Sequence, residues 1–317
     1  MNYSDIKTIA DKLQTNLSKV LVGKEDTCTL LLTTLFAGGN LLMEDAPGTG
    51  KTLLAKTLSK SISADFSRIQ FTPDLLPSDI TGINYYNPKS GEFILNKGPV
   101  FSNIVLADEI NRATPRTQSS LLECMEEKQV TIDGTTHKLK APFFVIATQN
   151  PIETAGTFPL PEAQLDRFMM KINVGFPDAE EELAIIDRFK GENPYDTIES
   201  VCTTDELNEI FSLISQTYIS NELKEYIVQI IHLTRTAEGT QLGVSPRGTL
   251  AFIRALSAYA AIKGRDYVIP EDIKYLAPYV LAHRIVTTQS YNSKNNALNI
   301  VYDILDSVPV PTEDFTK

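Results

Sequence analysis

The segment Asn40-Leu-Leu-Met-Glu-Asp-Ala-Pro-Gly-Thr-Gly-Lys-Thr52 runs from an apolar strand through a glycine-containing loop into the start of a helix. That is the context a phosphate-binding loop requires. Gly48 and Gly50 let the backbone fold tightly enough for its N–H groups to converge on phosphate oxygens. The helix beginning near Lys51 turns the positive end of its dipole toward the same anion. Lys51 is then placed for β- and γ-phosphates, and the Thr52 hydroxyl for Mg²⁺. One position departs from the usual pattern: Asp45 stands where a glycine commonly opens the loop. Stripped of its strand and its Gly-Lys-Thr ending, the segment would be only a glycine-rich turn.

Working outward, four more apolar runs share the character of residues 40–43: 66–71, 104–107, 143–147 and 170–174. Each is bounded by turn residues or helical stretches, as strands buried on both faces of a parallel sheet are. Helical periodicity covers 51–62, 115–127 and 161–168. Two helices precede the loop, one over 4–21 with Ser4 as its N-cap and one over 26–37 stopped by Gly38 and Gly39. This alternation predicts a wound α/β domain over 1–176 with a five-stranded parallel sheet. Two segments are surplus to that sheet: 76–100, with β-like pieces around Asn87–Gly91, and 128–140, whose Asp133-Gly134 pair signals a hairpin. After Phe176-Pro177-Asp178 the pattern is helical alone, over 178–190, 204–217, 221–238, 246–263, 271–284 and 296–306. A second, all-helical domain over 177–317 is expected.

Two strands end in chemistry. Ile104-Val-Leu-Ala-Asp-Glu109 delivers Asp108 and Glu109 to the carboxyl edge of the sheet, where ligands lie in open α/β folds. Asp108 suits Mg²⁺, directly or through water, and Glu109 suits a base that orients and polarises an attacking water. The plainer reading is an acidic pair capping the next helix. Phe143-Phe-Val-Ile-Ala-Thr-Gln-Asn150 ends in amides, and Asn150 can hold a phosphate and a water together because an amide both donates and accepts. An asparagine before Pro151 also favours a turn, which is compatible with that role.

Two arginines bear on whether such a site works alone. Arg167, in Pro161-Glu-Ala-Gln-Leu-Asp-Arg-Phe168, cannot easily fold back onto its own phosphate loop. It can enter a neighbour's site and neutralise charge in phosphoryl transfer, or it can pair with Asp166 or Glu162 on the surface. In Ser245-Pro-Arg-Gly248, Ser245 caps a helix, Pro246 takes its first turn and Arg247 projects from its N-terminal end. There Arg247 can meet a γ-phosphate or remain solvated.

The 317 residues carry a net charge of −11 and are 42% hydrophobic, enough for a core and two domains. Bulk electrostatics oppose nucleic-acid binding. Lys128, Lys138 and Lys140 make the 128–140 hairpin mildly basic, but it has no aromatic residue for base stacking. Cys28, Cys124 and Cys202 are scattered and form no CxxC pair with His137, His232 or His283 at ligand spacing, so a zinc site is not expected. A polar N-terminus and the lack of a membrane-length apolar run predict a cytoplasmic protein without a membrane span.

Taken together, these residues resemble the MoxR family of AAA+ ATPases. Residues 44–52 look like its Walker A, in which an aspartate at position 45 is ordinary. Arg68-Ile-Gln-Phe-Thr-Pro-Asp-Leu-Leu-Pro-Ser-Asp-Ile-Thr-Gly82 is highly characteristic. Ala107–Ala113 resembles Walker B, Ala147–Pro151 sensor 1, Leu165–Phe168 the arginine-finger box and Ser245–Arg247 sensor 2. The resemblance spans nearly the whole chain and is strongest over about 44–170. It implies an αβα P-loop NTPase core with a helical lid and ATP held between them. The nucleotide site it implies comprises Asp45, Ala46, Pro47, Gly48, Thr49, Gly50, Lys51, Thr52 and Leu53, with Val22 and Gly23 near the adenine. Residues 76–100 then correspond to the helix-2 insert and 128–140 to the pre-sensor-1 hairpin. The resemblance further implies a homo-oligomer, often a hexameric ring, acting in a chaperone-like way on a client with a von Willebrand factor A domain partner.

The expected activity is ATP hydrolysis at subunit interfaces. Lys51, Thr52 and Asp108 hold MgATP, Glu109 and Asn150 position water, and Arg167 and Arg247 complete the catalytic set. Two alternatives stay open: a magnesium-chelatase-type ATPase subunit, and a scaffold that binds ATP without useful turnover. A guanine-selective NKxD-like motif is absent.

Overall fold

The computed structural model describes residues 1–44, 48–150, 156–288 and 296–311. Asp45, Ala46 and Pro47 lie outside the described residues. The chain opens with α1 (Tyr3–Val20) and α2 (Glu25–Phe36). α1 is capped by Asn2, two residues before the expected Ser4. The Asn2 side chain accepts from the Asp5 N–H at 3.0 Å, and the Asp5 carboxylate accepts from the Asn2 N–H at 2.8 Å. This reciprocal box satisfies two amide donors that a helix start leaves without partners.

Next come β1 (Leu41–Glu44), α3 (Lys51–Ser61), β2 (Phe66–Gln70), α4 (Pro77–Thr81), β3 (Gly82–Asn87), β4 (Glu92–Lys97), β5 (Ile104–Asp108), α5 (Pro115–Glu127), β6 (Gln129–Ile132), β7 (Thr135–Lys138), β8 (Phe144–Gln149), α6 (Glu162–Leu165) and β9 (Met170–Ile172). Five of these strands form one parallel sheet in the order β2-β5-β8-β1-β9. Both of its faces are covered. Leu41, Met43, Ile104, Leu106, Phe144, Ile146 and Ile172 pack into a cluster with Leu13, Leu31 and Leu58 of α1–α3. Leu42, Ile69, Val105, Ala107, Val145 and Ala147 point the other way, toward Leu121, Leu122 and Met125 of α5. The period-two alternation of strand side chains thus makes three layers from runs that are apolar throughout.

The two surplus segments are hairpins outside the sheet. β3 pairs with β4, preceded by the short α4, and β6 pairs with β7. Asp133 and Gly134 both have left-handed backbones, φ +48° and +80°, as a two-residue hairpin turn requires. Asn84 Nδ2 donates to Asp133 Oδ2 at 3.0 Å and joins one hairpin to the other. α6 is shorter than its expected span and ends at Leu165, before Arg167.

The remaining elements are α7 (Ala179–Phe189), α8 (Thr204–Ile214), α9 (Asn221–Thr236), β10 (Thr240–Leu242), α10 (Pro246–Ile262), α11 (Pro270–Leu281), β11 (Val286–Thr287) and α12 (Asn296–Ser307). The β10–β11 ribbon departs from the expected all-helical pattern; strands of three and two residues are too short to show a period. α10 packs against both α1 and α2. Phe252 and Leu256 consequently share one apolar cluster with Leu13 and Leu31. Among the described residues, no helix is long and apolar enough to cross a membrane.

Candidate functional site

A 460 Å³ cleft opens at the carboxyl edge of the sheet. Its lining includes Gly48–Leu53, Arg68, Gln70, Asp108, Glu109, Thr148, Gln149 and Asn150. Lys51, Thr52, Asp108, Glu109 and Asn150 are therefore brought together from three strand ends. The register explains how: Gln70 lies beside Asp108 on neighbouring strands, and β8 continues past Ala107–Ala147 to Thr148. The loop itself has the conformation its glycines permit. Gly48 and Gly50 have φ of +88° and +85°, which side-chain-bearing residues rarely adopt. α3 begins at Lys51 and runs for 11 residues, so its N-terminal amides face the cleft.

The carboxylates are held in a connected set. Thr148 Oγ1 donates to Asp108 Oδ1 at 2.6 Å and accepts from the Glu109 N–H at 2.8 Å. Arg68 Nη2 donates to Asp108 Oδ2 at 2.6 Å and to Gln70 Oε1 at 2.7 Å. Gln70 Nε2 donates to Glu109 Oε2 at 2.7 Å, and Arg112 Nε lies 3.1 Å from the same oxygen. Glu109 has φ +56° and ψ +49°, a left-handed backbone that costs roughly 1–3 kcal/mol in a residue other than glycine. That turn sends its side chain away from the strand and toward Gln70.

The donors suit a magnesium nucleotide. The Thr52 hydroxyl and Asp108 carboxylate are hard oxygen ligands, the kind Mg²⁺ takes a few of while water and phosphate oxygens supply the rest. Among the described residues, no atom outside its chain neighbours lies within 4 Å of where a Cβ on Gly48 would point, which leaves room there for a bulky anion. Val22 and Gly23 do not line the cleft, but the preceding Leu21 reaches the loop: a Cβ at Gly50 would lie 3.7 Å from Leu21 Cδ1. Lys24 pairs with Glu181 at 2.9 Å, tying this corner to the start of α7.

Arg167 and Arg247 are elsewhere. They line a second cavity of 190 Å³ together with Gly38, Asn40, Glu126, Asp166 and Arg284. Gly38–Asn40 precede β1 and Asp166–Met169 precede β9, so this cavity lies at the amino edge of the sheet. A strand rises about 3.3 Å per residue, which puts the two cavities more than about 10 Å apart along β1 alone. Arg167 Nε is 3.2 Å from Glu126 Oε2 without the alignment of a hydrogen bond, and Arg247 Nη2 donates to Glu126 Oε1. Both surface partners considered for Arg167, Asp166 and Glu162, are thus displaced by Glu126.

Sequence reasoning assigned no role to Arg68, Gln70, Arg112 or Thr148. The signal for the first two was present as polar residues flanking Ile69 in a strand otherwise destined for burial. Their partner could not be read, because it is set by strand order.

A family profile described as ATPase family associated with various cellular activities matches residues 40–170, and one described as AAA lid domain matches 232–301. Fold and site thus define an AAA+ ATPase-family protein, an αβα core with a helical lid. The chain is 40% identical to Chaperone MoxR1 of Mycobacterium tuberculosis, over 93% of this chain and 80% of that one. It is 30% identical to Protein MoxR of Paracoccus denitrificans, over 98% of each. It is 48% identical to the uncharacterized protein YeaC of Bacillus subtilis, over 98% of this chain and 97% of that one. A crystal structure from Cytophaga hutchinsonii, of a protein provisionally assigned as an ATPase, superposes with a TM-score of 0.90 at 41% identity, covering 98% of this chain and 97% of that one. The chain belongs to the MoxR family of AAA+ ATPases.

Proposed function

We propose that this protein hydrolyses ATP at interfaces between its own copies and uses the cycle to remodel a client protein. The observation that carries this reading is the separation of the two arginines from the cleft. Arg167 and Arg247 line a cavity at the amino edge of the sheet, while Lys51, Asp108 and Glu109 line one at the carboxyl edge. Guanidinium groups so placed serve a neighbour's phosphates far more readily than their own.

In this mechanism the amides around Gly48–Thr52 cradle the β- and γ-phosphates, with Lys51 as counter-charge, and Asp45, Ala46 and Pro47 belong to the same loop in sequence. Thr52 and Asp108 would hold Mg²⁺, which when bound neutralises charge on the phosphate oxygens. Glu109 accepts a proton from the attacking water, and Asn150 orients that water against the γ-phosphate. Val22 and Gly23 flank the adenine. Arg167, with Arg247 beside it, offsets the charge that develops in the adjoining copy's transition state.

A closed ring, hexameric as the family resemblance implies, supplies such an interface at every subunit. We place the boundary between core and lid at 176/177, and the protein in the cytoplasm. The client, reached through a von Willebrand factor A domain partner, would contact the two hairpins and the lid. The name Chaperone MoxR1 of a 40% identical relative supports the remodelling role.

Phosphate release from mixed subunits tests the interface. Arg167→Ala and Glu109→Gln should each be nearly inactive alone, and mixtures should regain activity wherever an intact arginine meets an intact glutamate. Failure to regain any, with assembly retained, would overturn the reading.

A further inference from the structure

Arg167 sits in a four-residue segment, Asp166–Met169, that is held from two sides, by the core through its backbone N–H groups and by the lid through its carbonyls and the Asp166 carboxylate. The Asp166 carboxylate accepts from Arg284 Nε at 2.8 Å through Oδ1 and from Ser245 Oγ at 2.9 Å through Oδ2. Arg284 also donates to the backbone on both sides of Arg167. Nη2 reaches the Phe168 carbonyl at 2.6 Å and the Asp166 carbonyl at 3.2 Å, and Nη1 reaches the Met169 carbonyl at 3.1 Å. His283 Nε2 lies 3.2 Å from the Phe168 carbonyl. On the core side the Met169 N–H donates to the Asn40 carbonyl at 2.8 Å, and the Asp166, Arg167 and Phe168 N–H groups donate to the Glu162, Gln164 and Leu165 carbonyls at 3.0, 3.2 and 3.1 Å.

This clamp has been built at a cost. The Arg284 side chain is 2% exposed and the Asp166 side chain 18%. Burial pulls the Arg284 pKa down to about 10, against the pull of Asp166. A buried ion pair is a poor source of net stability, but it holds geometry firmly, since removing one partner strands the other. α10 makes room for it: a Cβ at Gly248 would lie 2.7 Å from Arg284 Cδ. A glycine inside a helix gives up roughly 1 kcal/mol relative to alanine.

We propose that Asp166 is a positioning residue through which the lid sets the reach of Arg167, so that lid movement in one copy is transmitted to the nucleotide of the next. This rests on the reading that Arg167 acts on an adjoining copy. Two lid elements, the start of α10 and the residues after α11, grip the same carboxylate. A shift of the lid therefore pulls on or releases the Asp166 carboxylate while the N–H groups of the segment stay tied to the core, which changes the setting of Arg167. Asp166 never touches substrate; it acts through its neighbour in sequence.

The test uses the full-length assembly with Asp166→Asn, a change that keeps shape and removes charge. Assembly and ATP binding should persist, the KM for ATP should stay within about twofold, and kcat should fall at least about tenfold, as expected when a catalytic group is misplaced. Mixing with Glu109→Gln subunits should restore phosphate release, as it should for Arg167→Ala, while mixing Asp166→Asn with Arg167→Ala should restore none. A merely structural role would give a defect that Glu109→Gln subunits do not relieve. That result, with Arg167→Ala still relieved, overturns the proposal, as does wild-type kcat in Asp166→Asn. If Arg167→Ala itself is not relieved, the interface reading fails and this proposal falls with it. Should Asp166→Asn not fold, Ser245→Ala decides: a kcat loss relieved by Glu109→Gln subunits supports the role, and wild-type turnover or an unrelieved loss overturns it.

Discussion

Gln70 and Glu109 are joined across the carboxyl edge of the sheet, with Gln70 Nε2 donating to Glu109 Oε2 at 2.7 Å. Gln70 is itself held by Arg68, which also grips Asp108. The residue proposed as base and the residue proposed to hold the metal are thereby linked through β2, a strand that contributes nothing to the phosphate loop.

Replacing Gln70 by alanine leaves Glu109 on its left-handed backbone with one fewer restraint. Turnover should fall about tenfold, since misplacement of a catalytic group costs up to 10²-fold, while the KM for ATP stays nearly constant. Steady-state phosphate release checks this; unchanged kcat would make the bond incidental to catalysis.

Thr148 serves two partners with one hydroxyl, donating to Asp108 and accepting from the Glu109 N–H. Thr148→Val keeps the shape but removes the partner of Asp108 Oδ1 and of the Glu109 N–H, which should cost about 1–3 kcal/mol. Urea unfolding should show the loss for valine and much less of it for Thr148→Ser, which retains the hydroxyl.

Lys128, at the end of α5, has its ammonium on the Phe143 carbonyl at 3.2 Å and over the Phe143 ring. Burial, aided by the Arg254 charge, pulls its pKa from 10.5 to about 8. Below pH 8 both folded and unfolded chains carry the proton, and the burial penalty is in full force. Between pH 8 and 10.5 the unfolded chain binds the proton and the folded chain does not, so this residue's contribution makes stability rise with pH. Lys128→Met should therefore be more stable than wild type at pH 7, with the gap narrowing by pH 10. Urea midpoints at pH 7, 9 and 10 read this directly.

Much of the core was legible because its signals are local. The apolar runs gave all five sheet strands, and the Gly-Lys-Thr ending and Asp108-Glu109 pair stood at strand ends where neighbouring carboxyl edges meet. Partners brought in by tertiary structure were not legible. Glu126 is distant in sequence from both Arg167 and Arg247, and nothing near it marks it as their shared carboxylate. Arg68 and Gln70 stood out within a characteristic stretch, yet their role depends on β2 lying beside β5. Asn2 and Ser4 fit the same composition rule for a cap, and only the reciprocal bond with Asp5 separates them.

The central claim is that this cleft binds and cleaves ATP, and one paired measurement addresses it most directly: ATP binding and phosphate release by wild type and by Glu109→Gln, with Lys51→Ala as the binding control. Wild type should bind and turn over, Glu109→Gln should bind as tightly and release almost no phosphate, and Lys51→Ala should lose binding. Phosphate release by Glu109→Gln at the wild-type rate, or by Lys51→Ala undiminished, would contradict it.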